Sequence, residues 1–160
     1  MRGNGSYEAR LQALGISLQE APKAMANYLP AIRVGPLVFV SGQGPMADGK
    51  PTITGKLGAE VTEEQGYRAA RDTILNSLAI LRAEVGSLDN VRRIVKLLAF
   101  VNSAPGFVSQ PAVVNGASDL LVEIFGDAGR HARSAVAASD LPFNIPVEIE
   151  MIVEVEPHTL

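Results

Sequence analysis

The chain has 160 residues, 47% of them hydrophobic and 19% charged, the size and mix of one compact domain that buries a core without a disulfide or structural metal. Fourteen Lys and Arg against 17 Asp and Glu leave a net charge of −3, so no positive field favours nucleic acid. The absence of cysteine excludes disulfides, thiolate metal sites and cysteine nucleophiles, and two separated histidines, His131 and His158, give no metal-ligand spacing, so no metal is expected.

The first fifteen residues scatter charge and lack the apolar run of a signal peptide, and no stretch reaches membrane-spanning length. A cytoplasmic protein without a membrane partner is the expectation. Residues 7–14 carry a short helical pattern between Ser6 as N-cap and Gly15 as stop. We read 1–26 as an N-terminal arm and 27–160 as the main domain. Prolines across 21–30 disfavour helix and predict extended chain that includes Tyr28.

Strands follow at 31–34 and 37–42, with Gly35-Pro36 as the turn. The segment 43–61, rich in Gly, Pro, Asp and Thr, reads as a loop with a short strand near Ile53. Thr62-Glu63-Glu64-Gln65 fits a capping box, and Tyr67, Ala70, Ile74, Leu78 and Leu81 share a helix face up to Gly86. The β-branched run at 91–101 predicts a central strand. Ser109 and Pro111 open a second amphipathic helix that Gly126 stops. Strands at 134–138 and 146–155, separated by Asp140-Leu141-Pro142, end the chain.

This order predicts an α+β fold, one sheet with two long helices on one face. In the last strand Val147, Ile149, Met151, Val153 and Val155 alternate with Glu148, Glu150, Glu154 and Glu156. The face bearing carboxylates has no cover from its own chain, which predicts oligomerisation.

Taken singly, the polar residues read plainly. Arg133 is an ion-pair candidate, Glu148 one of several glutamates on a solvated strand face, Tyr28 a packing aromatic and Asn115 a polar helix residue. Ser41-Gly42-Gln43-Gly44 lacks the following helix and lysine of a phosphate loop. Alternation puts Arg92 and Arg93 on opposite strand faces, which breaks up a basic patch. Ser134 beside His131 lacks the G-x-S-x-G frame and orienting acid of a hydrolase nucleophile.

Three segments, GPLVFVSGQGP at 35–45, HARSAV at 131–136 and LPFNIPVEIEMIVEV at 141–155, resemble the RidA (YjgF) family of reactive-intermediate deaminases, also called L-PSP endoribonucleases, in identity, order and spacing. The resemblance spans roughly 27–155. It implies a chorismate-mutase-like fold, a mixed sheet and a homotrimer with sites in clefts between subunits. The family's carboxylate-binding arginine falls on Arg133 and its acidic residue for the attacking water on Glu148. Its substrate-binding tyrosine, serine, glycine and asparagine fall on Tyr28, Ser41, Gly42 and Asn115.

The implied activity is hydrolysis of a 2-aminoacrylate-like or 2-imino acid to a 2-keto acid and ammonia, without a cofactor. The implied ligands are therefore small carboxylate-bearing imines, enamines or keto acids. Two other readings of the same frame are a non-catalytic trimer that binds small carboxylates and an endoribonuclease. Ala135 stands where the family often has a cysteine, and the arm and the stretch around His131 depart from its pattern.

Overall fold

The computed structural model describes residues 5–24 and 26–157, so His158 lies outside the described part. The arm opens with α1 (Tyr7–Ala13), whose N-cap Ser6 accepts from the Ala9 N–H. Its one buried residue, Leu11, enters the main core, and Tyr7 packs edge-on to Phe125 with ring centroids 4.7 Å apart. Burial of one such leucine contributes roughly 1.5–3 kcal/mol. Polar contacts add direction: Ser6 Oγ donates to Asp89 at 2.7 Å, and Glu8 accepts from the Leu88 N–H at 2.9 Å and from Arg82 at 3.4 Å. The arm is therefore docked along its first turns.

Strands β1 (Ala31–Val34) and β2 (Leu37–Gln43) form the expected hairpin. Past it the structure departs from the sequence reading. No strand forms near Ile53; instead β3 (Met46–Ala47) and β4 (Lys50–Pro51) make a small hairpin around Asp48-Gly49, both with positive φ. Asp-Gly is the preferred pair for such a turn, and this signal outweighs the apolar character of Ile53.

Helix α2 (Glu63–Val85) begins with the complete capping box, Thr62 and Gln65 each bonding the other's backbone. Strand β5 (Val91–Asn102), helix α3 (Gln110–Phe125) and strands β6 (Ala132–Ala138) and β7 (Val147–Val155) complete the order. The main sheet runs β1-β2-β7-β5-β6, antiparallel except for the parallel pair β5 and β6. It is a mixed sheet, as expected.

Both long helices cover one face of it. Val147, Ile149, Met151, Val153 and Val155 are buried there with Leu97, Ile74, Leu78, Leu120 and Leu121. Where the helices cross, Gly116 lies so close to the Tyr67 carbonyl that a Cβ would overlap it. The other sheet face presents Phe100, Glu148, Glu150 and Ile152, with Phe39 and Val136 partly exposed.

Candidate functional site

Two clusters emerge from the expected residues, and they sit on different sides of the sheet. The first gathers at a bulge, where pairing of β2 with β7 shifts register between Val40 and Gln43. A bulge turns the local backbone out of the ladder and re-aims it, here at Ser41 and Gly42. Glu148 of β7 lies against Gly42; a Cβ there would come within 3.1 Å of the Glu148 carboxylate. Ser41 is engaged, its Oγ donating to the Leu29 carbonyl at 2.6 Å while its N–H reaches Pro30 at 2.9 Å. These bonds hold the Tyr28 segment beside the bulge.

Tyr28, Gly42 and Glu148 share a cleft of about 660 Å³, walled also by Glu20 and Lys23 of the arm and by Phe143. Burial, reinforced by the nearby Glu150 charge, raises the Glu148 pKa above the usual carboxylate value. Such a group holds a proton more readily than an exposed glutamate and is a stronger base when ionised.

The second cluster belongs to Arg133. In register Arg133 neighbours Leu97, so its side chain lies on the helix-covered face, where α3 meets it. Its Nη2 donates to Asn115 Oδ1 at 2.9 Å and to the Pro111 carbonyl at 3.4 Å, and its Nη1 donates to Ser118 Oγ at 3.1 Å. All three acceptors are neutral. Among the described residues no carboxylate of the same chain pairs with this guanidinium. The group has more N–H donors than it spends on these three acceptors.

The clusters do not meet within one chain. Glu148 pairs with Phe100, and Phe100 with Val136, three positions beyond Arg133. From strand spacing and rise the Cα atoms of Arg133 and Glu148 are on the order of 14 Å apart, and the two side chains leave opposite faces. Asn115 thus joins Arg133, whereas Tyr28, Ser41 and Gly42 join Glu148.

Some participants escaped sequence reading. Asn76 of α2 donates to the Gly44 and Met46 carbonyls at 3.0 and 3.1 Å and fixes the floor of the cleft. Asn102, fully buried, bonds Asn144 and the Ile145 carbonyl at 3.1 Å, while Lys56 bridges Asn102, Ser139 and Asp140. Together they hold the turn that carries Phe143, whose φ is +57°. Ser118 was readable in principle, because it lies three residues after Asn115 on the same helix face.

Fold and clusters define an α+β protein with an arginine held by three neutral acceptors and a separate cleft that contains a half-buried glutamate. Residues 8–155 match the family described as "YjgF/chorismate_mutase-like, putative endoribonuclease". The chain belongs to this family, and the match reaches into the arm, well before residue 27. Protein TCP17 of Trypanosoma cruzi is 45% identical over 152 residues, 94% of this chain and 95% of that protein. The crystal structure of Atu1372, a protein of unknown function from Agrobacterium tumefaciens, is similar with a TM-score of 0.87 at 46% identity, covering 94% of this chain and 92% of that one. A relative from Dermatophagoides farinae named 2-iminobutanoate/2-iminopropanoate deaminase is 31% identical over 142 residues, 88% of this chain and 95% of its own. No helix among the described residues is long and apolar enough to cross a membrane.

Proposed function

We propose that this protein hydrolyses the imine or enamine form of a small 2-amino acid to a 2-keto acid and ammonia, in clefts formed between copies of the chain. The observation that carries this reading is the Arg133 guanidinium, held by Asn115, Ser118 and the Pro111 carbonyl, with no carboxylate paired to it among the described residues. A planar guanidinium fork grips a carboxylate in fixed orientation, which places the adjacent C=N carbon.

A homotrimer supplies the missing half: Arg133 and Asn115 of one copy face Tyr28, Gly42 and Glu148 of the next. There Glu148 accepts a proton from water as its oxygen adds to the imine carbon. The nitrogen is protonated, the carbinolamine collapses, and ammonia leaves as the keto group forms. One water is consumed per ammonia released. Imines already hydrolyse in water, so orientation plus acid–base help of roughly 10²–10⁴-fold suffices, without a cofactor.

Ala135 packs against the core from β6 and brings no polar group. That favours, as a second reading, a trimer that binds small carboxylates without turning them over. The endoribonuclease reading is weaker on charge, since the net charge of −3 gives little hold on a polyanion.

The test is ammonia release from imine generated in situ by a dehydratase or amino-acid oxidase. The protein should accelerate it, and Arg133→Ala, which loses hydrogen bonds to a charged group, should lower kcat/KM by about 30-fold or more. Equal release with and without the protein sinks the hydrolase; ligand-induced stabilisation by keto acids without turnover selects the binding reading.

A further inference from the structure

His131 precedes β6, and its half-buried ring lies between Gly129 and α3. Its Nδ1 is 2.7 Å from the Gly129 carbonyl oxygen and its Nε2 is 2.9 Å from Ser118 Oγ. A carbonyl only accepts, so Nδ1 carries the hydrogen. In the neutral ring Nε2 is then a lone pair, and the Ser118 hydroxyl must donate to it. That leaves Ser118 Oγ with lone pairs for Arg133 Nη1, 3.1 Å away. Donation runs one way, from Arg133 to Ser118 to His131, and the ring's own N–H ends on Gly129.

We propose that His131 is a positioning residue for the carboxylate anchor: as a neutral ring it sets Ser118 as an acceptor, and Ser118 with Asn115 fixes the plane of the Arg133 guanidinium. The proposal rests on Arg133 being the anchor. Protonation of His131 reverses the Ser118–His131 link, because Nε2–H then donates to the same Ser118 oxygen that accepts from Arg133; the Ser118 hydroxyl proton loses its acceptor while a second cation faces Arg133.

The surroundings favour the neutral ring. Burial and the Arg133 charge lower the His131 pKa, opposed by the bond to Gly129. The neighbouring charged groups are engaged elsewhere. Asp127 and Arg130, in the turn before β6, pair with each other at 3.4 Å. On α3, Asp119 accepts from the Tyr67 hydroxyl at 2.8 Å and Glu123 pairs with Arg71 at 3.6 Å. Lys96 of β5 neighbours Ala132 on the opposite face.

The experiment is calorimetric titration of the full chain with pyruvate between pH 8 and pH 5. As His131 protonates, wild-type affinity should fall, although added positive charge alone would strengthen anion binding. Neutralising Glu148 over the same range would also strengthen it, so it cannot mimic the expected loss. His131→Gln, uncharged throughout, should abolish that fall. Ser118→Ala should weaken binding about tenfold at pH 8, with Ser118→Thr recovering most of it.

Wild-type affinity that rises on acidification, or Ser118→Ala binding as tightly as wild type, overturns the proposal. Arg133→Ala separates the two levels. If it binds pyruvate normally, the anchor itself is wrong and the proposal goes with it; if it abolishes binding while the Ser118 and His131 variants stay silent, only the positioning role fails.

Discussion

A carboxylate laid against a glycine backbone is the arrangement on which the proposed turnover rests. Glu148 is destabilised as an anion by burial and by Glu150, so the folded chain holds its proton more tightly than the unfolded one. At a pH above the raised value, where the group is ionised in both states, this is a cost to folding, and the cost fades as pH falls through that value. Glu148→Gln should therefore melt at a higher temperature than wild type at such a pH, with the gap closing on acidification, while its kcat falls about 10²-fold. Scanning calorimetry beside the ammonia assay reads both.

The wild-type kcat/KM should lose activity on its acid side above the ordinary glutamate range, because the basic form must be present. Gly42→Ala acts on the same carboxylate from behind. Its Cβ would come within 3.1 Å of the Glu148 side chain, so kcat should drop several-fold with the melting temperature little changed. A full-speed Gly42→Ala enzyme would show that Glu148 has room to spare and no need of that contact. At this scale the sequence was informative only through motifs. Arg133 and Glu148 stood out because HARS and VEIE resemble family segments, whereas Ser118 had only its spacing from Asn115 to mark it and His131 matters through a hydrogen bond to α3 that no local pattern announces.

The elements themselves were largely legible. Thr62 and Gln65 announce the start of α2, and the alternation of β7 names the five residues that face the core. The small hairpin at Met46–Pro51 was lost because its strands are only two residues each, too short for any periodicity. What the sequence did not reveal is how closely the helices approach. Gly116 reads as a helix-weakening residue, yet its missing side chain is what lets α3 rest on the Tyr67 carbonyl. Gly116→Ala gains helix propensity and still should destabilise, by about 1–3 kcal/mol for overpacking, or a melting temperature lower by roughly 3–10 °C. An unchanged or raised melting temperature would mean that the interface yields easily.

For the whole molecule, the decisive fact is that Arg133 and Glu148 leave the sheet on opposite faces. Sequence identity can show that both residues are present but not that a single chain keeps them apart, since that depends on register across β7, β5 and β6. In the proposed ring of three, each site takes Arg133 from one copy and Glu148 from the next. Arg133→Ala and Glu148→Gln proteins, each strongly impaired alone, should then regain about a quarter of wild-type turnover when unfolded together in equal amounts and refolded, because every mixed ring contains one intact site. No recovery despite subunit exchange, shown by native mass spectrometry, would place the two residues in separate sites.

Under the proposed arrangement the same separation would leave an isolated subunit chemically mute, carrying both tools and bringing neither to the other's work. Turnover per chain would then climb with the protein's own abundance, and a cell could silence the activity simply by keeping copies scarce, with no inhibitor involved.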